Sequence, residues 1–149
     1  MKAAPTLDGR LRIDAESEAD VFALKSVVVD AGDSPENLAE DVGGLMPLEL
    51  SEDWTEIILP ELHGHFREQV TAVARSVKDV TPGDTVFIGK EDAELWYGAL
   101  NQARLSLESR YKFENRPFDD MDPEQRNARI RSHFYQVVQG LILDFLMDA

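Results

Sequence analysis

The segment Glu61-Leu62-His63-Gly64-His65 brings together residue types suited to metal chemistry. A carboxylate and imidazoles are donors that bind a divalent cation such as Zn²⁺. Because the segment begins a predicted helix, residues two apart point about 200° apart, and His63 and His65 face opposite ways. Glu61 and His65, four residues apart, share a face and are the metal candidates. A solvated helix start is the favoured interpretation, and no cofactor is expected.

Arg104 is a second candidate for a functional role. It lies four residues after Leu100 in the segment Ala99-Leu100-Asn101-Gln102-Ala103-Arg104, close to the buried stripe of a predicted helix. A cation near an apolar core needs a partner, because an unpaired buried charge is costly. Asn101, three residues earlier, could share its network, with a carboxylate from another helix completing it. We interpret Asn101 and Arg104 as a structural polar clamp between helices, with a ligand contact as the alternative.

No residue is assigned a catalytic role. The Gly-x-Ser-x-Gly elbow of many hydrolases and the glycine-rich loops that hold phosphates are absent from the sequence. With no cysteine, thiolate nucleophiles and cysteine metal sites are excluded. A non-enzymatic protein is therefore favoured, and a small carboxylate- or metal-dependent hydrolase is kept as the alternative.

Acidity is concentrated in one part of the chain. The net charge is −14, with 29 acidic residues against 15 Lys and Arg, and no Lys or Arg occurs between Ser26 and Phe66. We predict an acidic loop over residues 30–50, within a single domain spanning residues 1–149. A basic protein could bind there through charge complementarity. The candidate partner-binding residues are Asp30, Asp33, Glu36, Glu40, Asp41, Glu49, Glu52 and Asp53.

The same composition argues against other partners and locations. A strongly negative chain repels the phosphates of nucleic acids and the surfaces of anionic membranes. The apolar segment Leu141–Met147 is far shorter than the roughly 20 residues that span a bilayer. The absence of cysteine and of an N-terminal apolar stretch predicts a cytoplasmic location.

Three short segments predict a small antiparallel sheet. Asp8-Gly9 is a favoured pair for a type I′ hairpin turn, and the strand after it alternates Arg10, Leu11, Arg12 and Ile13. The segment Thr85–Ile88 is the natural third strand, because a hairpin alone is marginally stable.

Periodic apolar residues predict three or four long helices that form a bundle with this sheet, an α+β fold that is mainly α. The helices are expected over about residues 16–29, 61–78, 91–111 and 123 to near the C-terminus, with a shorter one from Ser51. The buried stripe expected for the last helix comprises Ile130, Phe134, Val137, Val138, Leu141, Phe145 and Leu146.

The segment DAELWYGALNQARLSLESR, from Asp92 to Arg110, resembles a bacterial family catalogued as domain of unknown function two-zero-one-seven. The shared features are an acidic helix start, a Trp, Ala-Leu-Asn and Arg-Leu. The N-terminal Asp-Gly-Arg hairpin and the apolar last helix are similar as well. The resemblance implies a mainly helical fold and a bacterial cytoplasmic protein, and it carries no activity.

The sequence therefore favours a non-enzymatic protein-interaction or regulatory module with an acidic binding surface. A self-associating helical protein is a further alternative, because the last helix is strongly apolar.

Overall fold

The structure is a computed structural model that describes residues 1–32, 59–113 and 116–147, with side chains from residue 64 onward in the second stretch. The helix expected from Ser51, and the acidic segment after residue 32, lie outside the described residues. Four α-helices are described: α1 is Glu18–Gly32, α2 is Leu59–Val77, α3 is Ala93–Tyr111 and α4 is Pro123–Phe145. The predicted fold class, α+β and mainly α, is confirmed.

A three-stranded antiparallel sheet accompanies the helices, as predicted. Its strands are β1, Lys2–Pro5; β2, Leu11–Asp14; and β3, Thr85–Ile88, in the order β1-β2-β3. Leu11 pairs with Ile88 and Ile13 pairs with Val86, and all four side chains are buried. Because side chains alternate along a strand, Arg12, which lies between Leu11 and Ile13, faces solvent.

The hairpin turn differs from the predicted type I′. Thr6 donates its amide to the carbonyl of Arg10 at 2.8 Å, and Gly9 donates to the carbonyl of Thr6 at 3.2 Å. Gly9 has a φ of +85°, whereas Asp8 keeps a negative φ. The connection is therefore a three-residue loop with glycine in the left-handed position, and a type I′ turn would need positive φ at two residues.

Helix α3 is the centre of the bundle, since it packs against α1, α2 and α4. Its apolar spacing predicts a buried stripe of Trp96, Leu100, Ala103, Leu107 and Tyr111; the first four are at most 1% exposed, and Tyr111 is partly buried. Gly98 allows α2 to approach closely, because a Cβ there would lie 2.2 Å from Nε2 of Gln69.

Side-chain caps fix where two helices begin. Ser17 accepts a hydrogen bond from the amide of Asp20, and the Asp20 carboxylate accepts from the amide of Ser17, each at 3.2 Å. Asp122 and Gln125 form the same reciprocal cap before α4, with Pro123 at the first helical position. These caps satisfy amide groups that a helix start leaves without partners. The predicted start of α4 is confirmed.

The predicted buried stripe of α4 is partly wrong. Val138 and Leu146 are buried, but Ile130 is 61% exposed, Val137 is 47% exposed and Phe145 is 45% exposed. The buried face instead carries Ala128, Tyr135, Val138, Gln139 and Ile142. The helix is thus rotated about its axis, so that its most apolar stripe does not face the core.

Among the helices of the described residues, none combines the length and the apolar character that crossing a membrane requires.

Candidate functional site

A buried ion pair joins α1 to α4. Asp30, in the last turn of α1, is 2% exposed. Arg131 of α4 donates to it twice, from Nε to Oδ2 at 3.1 Å and from Nη2 to Oδ1 at 3.3 Å. Tyr135, one turn further along α4, donates its hydroxyl to the same Oδ2 at 2.6 Å. Asn127 also accepts a hydrogen bond from Arg131. The carboxylate is therefore compensated by three charge-assisted hydrogen bonds.

The electrostatics of this cluster keep each donor protonated. Burial raises the pKa of the Tyr135 hydroxyl above its usual range, and the neighbouring Asp30 carboxylate raises it further. Burial acts to lower the pKa of Arg131, but the hydrogen bond and charge of Asp30 outweigh it and raise that pKa. Tyr135 therefore acts as a neutral donor and Arg131 as a permanent cation, which suits a fixed structural contact.

A second polar clamp joins α3 to α4. Nη1 of Arg104 donates to Oε1 of Gln139 at 2.7 Å, and Nε2 of Gln139 donates to the carbonyl of Tyr97 at 3.2 Å. Arg104 thus contacts another helix, as expected, but its partner there is an amide rather than the predicted carboxylate. Within the part of the chain that the structure describes, no hydrogen bond joins Asn101 to Arg104. Gln139 has both amide atoms paired, which explains how it is accommodated at 3% exposure.

Asp30 does not belong to an exposed acidic surface. It was predicted among the partner-binding acids, at the start of the loop over residues 30–50, whereas α1 continues through Gly32 and buries it. The cause is its position three residues after Val27, on the same buried face of α1. The other seven candidate acids lie outside the described residues and stay a prediction.

The structure does not show Glu61 and His65, the two metal candidates, as ligands of one site. His65 is exposed, and its Nε2 lies 3.1 Å from Nε2 of Gln69. The side chain of Glu61 lies outside the described residues. In the described ranges, no group of three or more His, Asp or Glu side chains could hold a metal ion.

The two polar contacts turn one face of α4 toward the bundle and leave an apolar face of the same helix exposed to solvent. Ile130, Val137 and Phe145 are about half exposed, and Phe134 and Leu141 between them are partly buried. At 100° per residue these five side chains form one stripe along the helix. We call them the α4 outer stripe. An apolar stripe of this length on a solvent-facing helix is typical of a protein interaction surface.

Sequence reasoning missed Asp30, Arg131, Tyr135 and Gln139 as the residues that orient α4. A usable signal was present: Ala128, Tyr135 and Ile142 recur every seven residues, which marks a second face of the helix. The larger apolar content of the α4 outer stripe led to its prediction as the buried face. The hydrogen bonds that bury Tyr135 and Gln139 could not be predicted, because their partners lie on helices distant in sequence.

The comparisons with known proteins identify a family. Residues 39–149 match the sequence model of the family described as a domain of unknown function (DUF2017), which covers well over half of the chain. No curated protein and no solved structure matches the chain.

The buried ion pair makes a specific prediction for stability. We expect Arg131→Met to lower the free energy of unfolding by about 3 kcal/mol, because the Asp30 carboxylate stays buried without its cation. The double variant Asp30→Asn with Arg131→Met should be more stable than Arg131→Met, since no uncompensated charge remains. Chemical denaturation measures both. Arg75→Met, at an exposed position of α2, is the control, and equal losses for Arg131→Met and Arg75→Met would contradict the assignment.

The Arg104 clamp is tested in the same way. Arg104→Met should lower the free energy of unfolding by about 1 kcal/mol, because the buried amide of Gln139 loses a charged donor. Asn101→Ala should change it by less than about 0.5 kcal/mol. Thermal melts followed by circular dichroism provide the measurement. A melt of Arg104→Met identical to the unmodified protein would favour a ligand-binding role for Arg104.

Proposed function

This chain belongs to the family described as domain of unknown function DUF2017, and we propose a function for it from its structure. We propose that it is a non-enzymatic protein-interaction module that pairs with a second copy of itself. One observation supports the proposal above others, the exposure of the α4 outer stripe. Ile130, Val137 and Phe145 expose 61, 47 and 45% of their surface. Burying such side chains against a partner is favourable by about 25 cal/mol per Å² of apolar area.

The charges along α4 favour a second copy, in antiparallel orientation, as the partner. The first half of the helix carries Arg126 and Arg129, besides Glu124 and the Arg131 that is paired with Asp30, and the second half carries Asp144. A two-fold axis near Val137 would place the Asp144 end of one helix beside the Arg129 end of the other. The same two-fold axis would pack Phe134 against the partner copy's Leu141, so the stripe is complementary to itself, as a two-fold interface requires.

The acidic segment supplies the second part of the proposal. Ten acids lie between residues 30 and 61; Asp30 is buried, and the side chains of the other nine lie outside the described part of the chain. We propose that the remaining acids, with apolar residues such as Leu45 and Leu48 between them, bind a basic protein. A cytoplasmic location is part of the same proposal, supported by the absence of cysteine.

Pairing through the α4 outer stripe predicts a loss of dimers on a single substitution. Val137→Glu should convert the protein to a monomer, because two carboxylates would face each other near the two-fold axis. Sedimentation equilibrium across a hundredfold range of concentration measures the change. Gln136→Glu adds the same charge at an exposed position off the stripe and should leave the dimer intact. A monomeric unmodified protein at the highest concentration would contradict the proposal.

The acidic segment makes a separate prediction. The combined substitutions Glu40→Gln, Asp41→Asn, Glu49→Gln and Glu52→Gln should weaken binding of a synthetic Lys- and Leu-rich peptide at least tenfold, because ion pairs and salt-dependent attraction are lost. Fluorescence anisotropy measures the affinity. A variant with the same net charge carries Glu18→Gln, Asp79→Asn, Glu91→Gln and Glu94→Gln at exposed positions. Equal weakening by both variants would show that only net charge matters and would refute the location.

A further inference from the structure

An apolar groove runs between α1 and α2, on a surface separate from the α4 outer stripe. Its cavity has a volume of about 410 Å³ and opens to solvent. The apolar lining comes from Val28 and Val29 of α1 and from Ala74 and Val77 of α2. Val29 is 62% exposed, so one wall presents an apolar side chain to solvent rather than to the core.

Three cations surround this apolar groove. Lys25 lies on α1, Arg75 lies on α2 and Lys78 follows the last residue of α2, and all three are exposed. In the part of the chain that the structure describes, none of them forms an ion pair or a side-chain hydrogen bond. The whole chain has only 15 Lys and Arg against 29 acids, so three cations that form no ion pair among the described residues are a local reversal of charge at this groove. Such a reversal selects an anionic partner.

The arrangement of the cations indicates a peptide rather than a small anion. Arg75 and Lys78 are three residues apart at the end of α2 and just after it, and Lys25 is on the opposite wall, so the cations flank the groove on both sides. The lining contributed by this wall extends from Thr71 to Lys78, a length of about 10 Å at 1.5 Å per residue. This length matches two turns of a helix. An amphipathic helix that lays its apolar face into a groove is a recurring mode of peptide recognition.

We propose that the groove between α1 and α2 binds an acidic amphipathic helix of a partner protein. The apolar side chains of that helix would pack on the apolar lining, Val28, Val29, Ala74 and Val77. Its carboxylates would pair with the three cations, Lys25, Arg75 and Lys78. This site goes beyond the proposed dimer, because it uses neither α4 nor the acidic segment. The partner bound in this groove would be acidic, whereas the partner proposed for the acidic segment is basic.

The test uses the full chain and a fluorescein-labelled 14-residue peptide of Leu and Glu, with Leu at helical spacing. The acidic peptide should bind, and a peptide with every Glu replaced by Lys should bind at least tenfold more weakly. Lys25→Glu combined with Arg75→Glu should weaken binding of the acidic peptide at least tenfold. Val29→Ser, at an exposed position, should weaken it about threefold. Circular dichroism confirms that each variant is folded.

Two controls separate the groove from general electrostatics and from the dimer. Lys90→Glu with Lys112→Glu changes the net charge equally outside the groove and should leave binding unchanged. Val137→Glu should also leave it unchanged, so failure of the dimer and failure of this site are distinguishable. Unchanged binding in the Lys25 and Arg75 variant, or equal binding of both peptides, would overturn the proposal. Tighter binding after neutralisation of Glu40, Asp41, Glu49 and Glu52 would also overturn it, by identifying this chain's own acidic segment as the occupant.

Discussion

The ion pair between Asp30 and Arg131 sets the orientation of α4, and the exposed surface of the bundle depends on it. A carboxylate at 2% exposure must have its charge compensated, and Arg131 and Tyr135 can reach it only when one face of α4 turns toward α1. The same rotation brings Gln139 to Arg104 on α3. Turning the opposite, apolar stripe inward would leave these buried polar groups without partners, and each unpaired group carries a cost in free energy.

The consequence of this constraint is a division of α4 into two faces. The inner face combines the apolar residues Ala128, Val138 and Ile142 with the hydrogen-bonded side chains of Tyr135 and Gln139, and the outer stripe keeps large apolar residues in contact with solvent. Natural sequences use such buried polar contacts to select one packing arrangement among several of similar apolar burial. In this protein the selected arrangement exposes the stripe that the proposed pairing requires, so the stability of the bundle and the availability of the surface have one cause.

Charge is distributed as unevenly as apolar surface. Ten of the 29 acids fall between residues 30 and 61, and three cations without ion pairs in the described residues surround the groove between α1 and α2. Because exposed charges act over about 10 Å at ordinary ionic strength, the field near each region follows the charges within it rather than the net charge of −14. One small chain can in this way present an acidic segment and a basic groove to different partners.

The sequence by itself determined the local elements of this protein. The alternation of Leu11 and Ile13, the four-residue spacing from Trp96 to Leu100 and the Asp122-Pro123 helix start each depend on neighbours in the chain, and each was predictable. Membership of the family was indicated in the same way, by the segment from Asp92 to Arg110. The partner of Arg104, the burial of Asp30 and the rotation of α4 were decided only by the tertiary structure. Each depends on side chains 35 to 105 residues apart, whose contact is created by packing. The seven-residue recurrence of Ala128, Tyr135 and Ile142 marks a second face of α4 but does not identify the side chains that it contacts.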